Sequence, residues 1–478
     1  MSADRREFIK AAGFGVLATS TPVLAQQSSH AHHAAPAKIF DPSKEPKRVR
    51  KSFSDLTDEE LRNLCKAVGW MRGNLPLEHP MQWDNYARLH ALHCTEISPE
   101  HPAVHWSWNF LPWHRGYLYF LERILANILT TQFKVDGDRF ALPYWDWSTR
   151  EMPNTTERKS AGLASPFFGY DLTQENMVNP DDLGFDNSAL YEGNRGPSLL
   201  KPQMDPVNEL TADSKEHVIE TLHYTSPEYI QLMLAAPFEQ FGGKPVTDRQ
   251  TGQGLLEQGP HNDGHDWIGT RIGRNRTMGT LRSAAADPMF YMHHCNIDRI
   301  WSLYEQPQPD PAGPWGEQRY NFMDVDGSNF NLSVREIIAK TTNIAYAPSD
   351  VEIKAPARPL RLPFRQSLMV LKELDSTPVS VDVPRDMASH DSLLLDVHTG
   401  PIAYTGKYTI KMYSDGQYIG KLKMLDGEHR ASYTSQDITH TFSLLLTKRL
   451  AVGSSLTFLP PSRGSVKIMI KSIEYRVL

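Results

Sequence analysis

The placement of histidines is what most constrains this chain. The stretch "YARLHALHCTEISPEHPAVHWSWNFLPWHRGYLYFLE" carries His90, His93, His101, His105 and His114. Far along the chain, "LEQGPHNDGH" and "DPMFYMHHCNIDRIW" carry His261, His265, His293 and His294. Residues four apart, such as His261 and His265, share one face of a helix. Each cluster can therefore supply three imidazoles from two helices, and carboxylates are sparse beside them. An all-imidazole set suits zinc, copper, iron or nickel, and does not suit magnesium or calcium. Two such sets in one helical region predict a paired metal centre.

The flanking sequence reads as helices. "LTDEELRNLCKAVGWMR" opens on a capping box, Thr57 to Glu60, and sets Leu61, Leu64 and Val68 on one side. "HRGYLYFLERILANILTT" places Leu118, Leu121, Leu125 and Ile128 at helical spacing. "SPEYIQLMLAAPFEQF" and "HCNIDRIWSLYEQ" read the same way, and few segments here alternate as strands do. The proline-rich "TTNIAYAPSDVEIKAPARPLRLPF" reads as an extended linker. Beyond it come strand-like runs such as "SLLLDVH", "YTIKMY", "YIGKLKML" and "HTFSLLLTK", with Asp415–Gly416 as a hairpin turn. The expected fold is mainly α: a helical metal domain over residues 46–342, a linker over 343–366 and a smaller C-terminal β-sandwich over 367–478.

The N-terminus "MSADRREFIKAAGFGVLATSTPVLAQQ" has a charged start, a short apolar run and small residues near position 25. Residues 1–25 therefore read as a signal peptide, and the run is too short for a membrane span. "DRREFIK" resembles a twin-arginine signal, which implies export of the folded protein by that machinery to the periplasm or beyond. Residues 26–45 read as a flexible segment in which His30, His32 and His33 are either metal scavengers or plain linker. No other segment looks membrane-spanning. A net charge of -6 gives no nucleic-acid footprint. Three cysteines cannot make a disulfide framework, and Cys65 and Cys295 read as structural.

The stretches "HWSWNFLPWHRGYLYFLE", "LPYWDWS", "HNDGHDWIG" and "DPMFYMHHCNIDRIW" resemble the type 3 copper proteins: tyrosinases, catechol oxidases and, more distantly, haemocyanins. The resemblance covers roughly residues 50–335 and has plant-polyphenol-oxidase character in "MGTLRSAAADPMFYMHH", beside the bacterial-style signal. It implies a four-helix bundle holding two copper ions, each by three histidines. Carried over residue by residue, it makes His105 and His114 ligands of the first copper, and His261, His265 and His294 ligands of the second. His293 is then a supporting neighbour. "YARLH" favours His90 as the remaining ligand, with His93 the competitor. In plant-type members a cysteine four residues after the first ligand bonds to the second ligand histidine. That implies a Cys94–His105 thioether, the alternative being a free buried cysteine.

The resemblance further implies an oxidoreductase that uses O2 to hydroxylate monophenols such as tyrosine at the ortho position and to oxidise catechols to o-quinones. Glu257, four before His261, and Asn262, directly after it, match the pair thought to hold a basic water in the family. Asp266 is a candidate acceptor near substrate. Leu281 stands where plant members place a phenylalanine over the second copper. Arg282 beside it either meets a substrate carboxylate or is a surface arginine. The C-terminal sandwich loosely resembles the domain covering the active site of latent polyphenol oxidases, which implies a lid or a simple stabilising module. A catechol or o-aminophenol oxidase without monophenolase activity, and a haemocyanin-like O2 carrier, remain as alternatives.

Overall fold

The computed structural model describes residues 38–95, 101–148, 190, 223–247, 250–269, 278–349, 351–353, 366–388, 390–401, 408–424, 439–460 and 468–477. The expected signal peptide over residues 1–25, and His30, His32 and His33, lie outside these residues. Among the described residues there are eight helices: α1 (Asp58–Gly73), α2 (Trp83–Thr95), α3 (Phe110–Phe133), α4 (Pro227–Leu234), α5 (Phe238–Phe241), α6 (Asn262–Ile268), α7 (Met289–Ser302) and α8 (Val334–Lys340). None of the described helices is long and apolar enough to cross a membrane.

Local chemistry sets their ends. The Thr57 side chain accepts from the Glu60 amide while the Glu60 carboxylate accepts from the Thr57 amide, so both free donors at the start of α1 are satisfied. The run "SPEYIQLMLAAPFEQF" is two helices, because α4 ends at Leu234 and Pro237 starts α5 afresh. Helix α3 is buried on nearly every side, and its apolar residues from Phe110 to Leu129 form the centre of the larger core. Arg50, on strand β1 (Arg48–Arg50), is fully buried and reaches Glu122 of α3 at 3.0 Å and Asp298 of α7 at 3.3 Å. Asp298 also pairs with Arg115 at 2.6 Å, while Arg299 lies 3.7 Å from Asp146 and over the Tyr144 ring.

The helical region also contains strands that the mainly α expectation leaves out: β2 (Gln250–Gln253), the hairpin β3 (Arg319–Met323) with β4 (Asn329–Ser333), and β5 (Ile344–Tyr346). Strand β5 falls inside the expected linker and pairs in parallel with β1. Strands β2 and β5 are too short to show a two-residue alternation, while β3 and β4 ("RYNFM" and "NFNLS") do alternate, so the fold is helical plus sheet rather than mainly helical.

Eight further strands follow: β6 (Gln366–Leu374), β7 (Val379–Asp382), β8 (Leu393–Thr399), β9 (Tyr408–Ser414), β10 (Gln417–Met424), β11 (Thr439–Leu446), β12 (Ser455–Leu459) and β13 (Ile468–Val477). One sheet has the order β10-β9-β12-β7 and the other β2-β11-β8-β13-β6. Val381, Ile410, Met412 and Phe458 of the first share a buried core with Leu395, Val397, Phe442 and Ile470 of the second. Asp415 and Gly416 turn β9 into β10 with φ of 48° and 75°, the positive pair that a two-residue hairpin needs. The second sheet takes its edge strand β2 from the helical region: Gln250 to Gln253 pair in parallel with Thr439 to Phe442.

Candidate metal centre

Three histidines reach one buried point from α2, from the loop before α3, and from α3 itself. The ligand atoms of His90, His105 and His114 lie within 4.8 Å of one another. The Nδ1–H of His114 donates to the Phe110 carbonyl one turn earlier at 2.7 Å, and that of His90 to the Leu281 carbonyl at 3.2 Å. Fixing Nδ1 as the donor leaves the lone pair on Nε2, which is the usual way a protein orients a ligating imidazole. His93, three residues along α2, turns away: its Nδ1 bonds Pro102 O at 2.8 Å, and its ring packs on Trp113, His101 and Tyr320. Cys94 is buried with Sγ 3.1 Å from His105 Nδ1 and 3.3 Å from His90 Nε2.

The second group comes from a π-turn at Glu257–His261, from α6 and from α7. His265 Nε2 is 3.1 Å from His261 Nε2 and 3.4 Å from His294 Nε2. His261 Nδ1 bonds the Asn262 side-chain oxygen at 3.0 Å, and His265 Nδ1 the Met278 carbonyl at 2.9 Å. Two lone pairs therefore face each other across about the separation that metal–nitrogen bonds of ~2 Å give at a near-tetrahedral angle.

The three ligand atoms within 4.8 Å of one another on this side are those of His261, His265 and His293. Both nitrogens of His293 are occupied, however: Nε2 donates to His261 O at 3.1 Å, and Nδ1 accepts from the Trp147 indole at 3.2 Å. It braces the backbone of the π-turn, whereas His294 Nε2 approaches His265 Nε2 at 3.4 Å and its ring packs on His261. The two triads touch: His114 and His294 stack with centroids 4.2 Å apart and planes 7° from parallel.

Burial holds these imidazoles neutral. Loss of solvation, reinforced by neighbouring histidines, pushes His90, His105, His261 and His294 well below the ordinary histidine range, and His114 down to about 3. The Nε2 atoms of His105 and His114 are buried without a protein partner. An unsatisfied buried acceptor of this kind costs about 1–3 kcal/mol, which a bound cation removes. Six neutral nitrogens, with no carboxylate in either triad, fit copper ions and provide none of the oxygen ligands that magnesium or calcium needs.

The remaining candidates lie around this centre. Glu257, 1% exposed, accepts from the Trp106 amide with both carboxylate oxygens, at 3.0 and 3.2 Å. It thus ties the second group to the loop that carries His105. Asn262 is fully buried, with its side-chain oxygen on His261 Nδ1. Leu281 is buried, with its carbonyl on His90, and Arg282 beside it is exposed. Asp266 carries an ion pair with Lys423, and Asp263 carries two, with Lys421 at 2.9 Å and Lys423 at 2.7 Å. Those lysines come from β10 and are invisible to a motif search, because "YIGKLKML" shows only an ordinary alternating strand.

Comparison with known proteins bears on this arrangement. The family model described as the common central domain of tyrosinase matches residues 80–307. Polyphenol oxidase II, chloroplastic, of Ipomoea batatas is 29% identical over 315 residues, 62% of this chain and 46% of its own. Aureusidin synthase of Antirrhinum majus is 29% identical over 346 residues, 66% of this chain and 55% of its own. The chain spans about half the length of the curated relatives it matches. Among solved structures, a latent aurone synthase superposes with a TM-score of 0.63 at 20% identity, covering 92% of each chain. A latent apple tyrosinase gives 0.61 at 20% identity, covering 91% of this chain and 99% of its own. These likenesses extend through the C-terminal sheets and establish a shared fold.

Proposed function

Given that the chain belongs to the tyrosinase and polyphenol oxidase family of type 3 copper proteins, we propose that it is an exported dicopper phenol oxidase. In this reading it hydroxylates monophenols at the ortho position and oxidises o-diphenols to o-quinones with O2. The observation that carries the reading is the pair of buried all-histidine triads joined by the His114–His294 stack. His90, His105 and His114 would hold one copper, and His261, His265 and His294 the other, with α2, α3, α6 and α7 as the four-helix bundle. When bound, two Cu(I) ions supply the two electrons that O2 must accept together.

The chain's own residues do the rest. The Nδ1 partners Leu281 O, Phe110 O, Asn262 and Met278 O aim four imidazoles inward. A phenol has a pKa near 10, so hydroxylation at neutral pH requires a base for its proton. Glu257 and Asn262 are the polar pair we assign to holding a water for that role. Asn262 uses its oxygen on His261, which leaves its amide group as the donor side. Cys94 is assigned to a thioether with His105, supported by the 3.1 Å approach. The Arg5–Arg6 leader is assigned to twin-arginine export of the folded protein.

Copper quantitation with an absorption spectrum under O2, followed by rates on tyrosine and catechol, tests the reading. Two coppers per chain with turnover of both substrates supports it. Catechol turnover alone leaves a catechol oxidase, and reversible O2 binding without turnover leaves a carrier.

A further inference from the structure

The C-terminal sheets are joined to the metal centre by three kinds of contact. First, β2 completes the second sheet, so the backbone just before Glu257 is a strand of that sheet. Second, Trp106, the residue after His105, is 1% exposed and packs in the core between the sheets, 4.9 Å from the Phe442 ring and 5.6 Å from the His440 ring. Its φ of 60° is left-handed, and its carbonyl accepts from Gly252 N of β2 at 2.9 Å. Third, Lys421 and Lys423 of β10 are 2% and 1% exposed and meet Asp263 and Asp266 on α6, where Lys423 Nζ also donates to Asn262 O at 3.1 Å.

The third contact bears most directly on the second triad. Helix α6 has seven residues, no side-chain cap and a proline-containing π-turn before it. A helix so short is marginal without outside contacts. Its Asp263 is fully buried and Asp266 nearly so, and buried carboxylates without counter-charges are strongly disfavoured. Lys423 touches positions 262, 263 and 266, which bracket His265 and follow His261.

We infer that Lys423, with Lys421, is a positioning residue for the second metal site, so that the C-terminal β-domain supports that site through β10. The inference rests on the reading of the two triads as copper sites. It assigns the β-domain a role that holds whether or not the domain also screens the entrance. Removing the Lys423 charge leaves α6 free to turn its carboxylates outward, which carries His261 and His265 away from His294.

Single-site backgrounds separate this from a general loss of stability. In His90→Ala protein the second triad alone is intact; in His261→Ala protein the first alone is intact. Copper affinity is measured by titration against a competing chelator. Lys423→Met is expected to weaken copper binding about 10- to 100-fold in the His90→Ala background, as for other groups that orient ligands, and by less than about twofold in the His261→Ala background. Lys423→Arg, which keeps the charge, is expected to restore most of the affinity. Equal affinity with and without Lys423→Met in the His90→Ala background overturns the proposal, as does equal weakening in both backgrounds. If Lys423→Met does not fold, Lys423→Met with Asp266→Asn restores charge balance and is read the same way; failure of that pair to fold, with Lys423→Arg folded, assigns the lysine to general stability and also overturns it. Should the unsubstituted protein bind no copper, the metal reading itself fails, a result separate from any of these.

Discussion

The His114 and His294 imidazoles stack face to face at 4.2 Å, the closest of the ring contacts, with His105–His261 at 5.6 Å, that bring the two histidine groups together. His294 packs on His114 and His90 of the first group, while His293 beside it faces the π-turn backbone and Trp147. The two neighbours should respond differently to substitution. His294→Ala is expected to lower bound copper from two to about one per chain and to abolish turnover. His293→Gln is expected to keep both metals and weaken the second by about tenfold, because it removes only a brace. Metal content and copper titration of the two variants check this.

Cys94 Sγ approaches His105 Nδ1 at 3.1 Å inside a buried pocket. A thioether there joins Sγ to a ring carbon of His105 with loss of the S–H and C–H hydrogens, O2 taking the two electrons, and it blocks the sulfur. Copper-loaded protein, denatured and treated with iodoacetamide, is expected to be alkylated at Cys65 and Cys295 but not at Cys94. Peptide mapping is expected to find Cys94 and His105 in one cross-linked species that is absent from protein never exposed to copper. An alkylated Cys94 in loaded protein rules the bond out.

Much of this centre is legible in the sequence because helical spacing and histidine density are local signals. Spacing and density pick out the two histidine clusters, and the resemblance then implies which members ligate, with "YARLH" matching the family's pattern ahead of His90. What is not legible depends on partners distant in the chain. The resemblance already favours His90 over His93 and sets His293 aside, but it does not say what holds them: the Pro102 carbonyl for His93 and Trp147 for His293. Strand β2, "QTGQ", has no apolar alternation of its own and becomes a strand only by pairing with β11. Lys421 and Lys423 alternate with Leu422 as a solvent-facing pair would, yet α6 covers that face. Asp266, expected from its position as an acceptor near substrate, pairs with Lys423, a partner the sequence does not announce.

Glu257 and Asn262 flank His261 but serve different neighbours: the first accepts from the Trp106 amide, the second from His261 Nδ1. If together they hold the water that takes a phenol proton, their loss affects hydroxylation and spares oxidation of catechols. Glu257→Gln and Asn262→Gly are expected to slow tyrosine hydroxylation by about 10²-fold, the usual scale for losing a general base, with catechol oxidation changed by less than about fivefold. Parallel initial rates on the two substrates check this. Equal losses on both would assign the pair to holding the loop rather than to proton transfer.

The neutral, buried histidines also make acid the natural weakness of the metal-free protein. His93 is pushed down to about 4 and His114 to about 3 by burial, against an ordinary value near 6.5. The unfolded chain therefore binds more protons than the folded one once the pH falls below about 6.5, and stability drops as the pH falls further toward the folded values. His93 alone corresponds to about 2 kcal/mol lost between pH 7 and pH 5. It is useful for isolating the effect, since its ring nitrogen bonds Pro102 and not the triad. Urea unfolding of metal-free protein is expected to shift to lower midpoint from pH 7 to pH 5. His93→Gln, whose amide can still donate to Pro102 O, is expected to shrink that shift measurably while the remaining histidines sustain the rest. A shift unchanged by His93→Gln would mean that His93 charges without cost, through opening of the 101–105 loop ahead of global unfolding. Protein loaded with copper is expected to resist the same acid step, because bound metal competes with protons for the triad nitrogens.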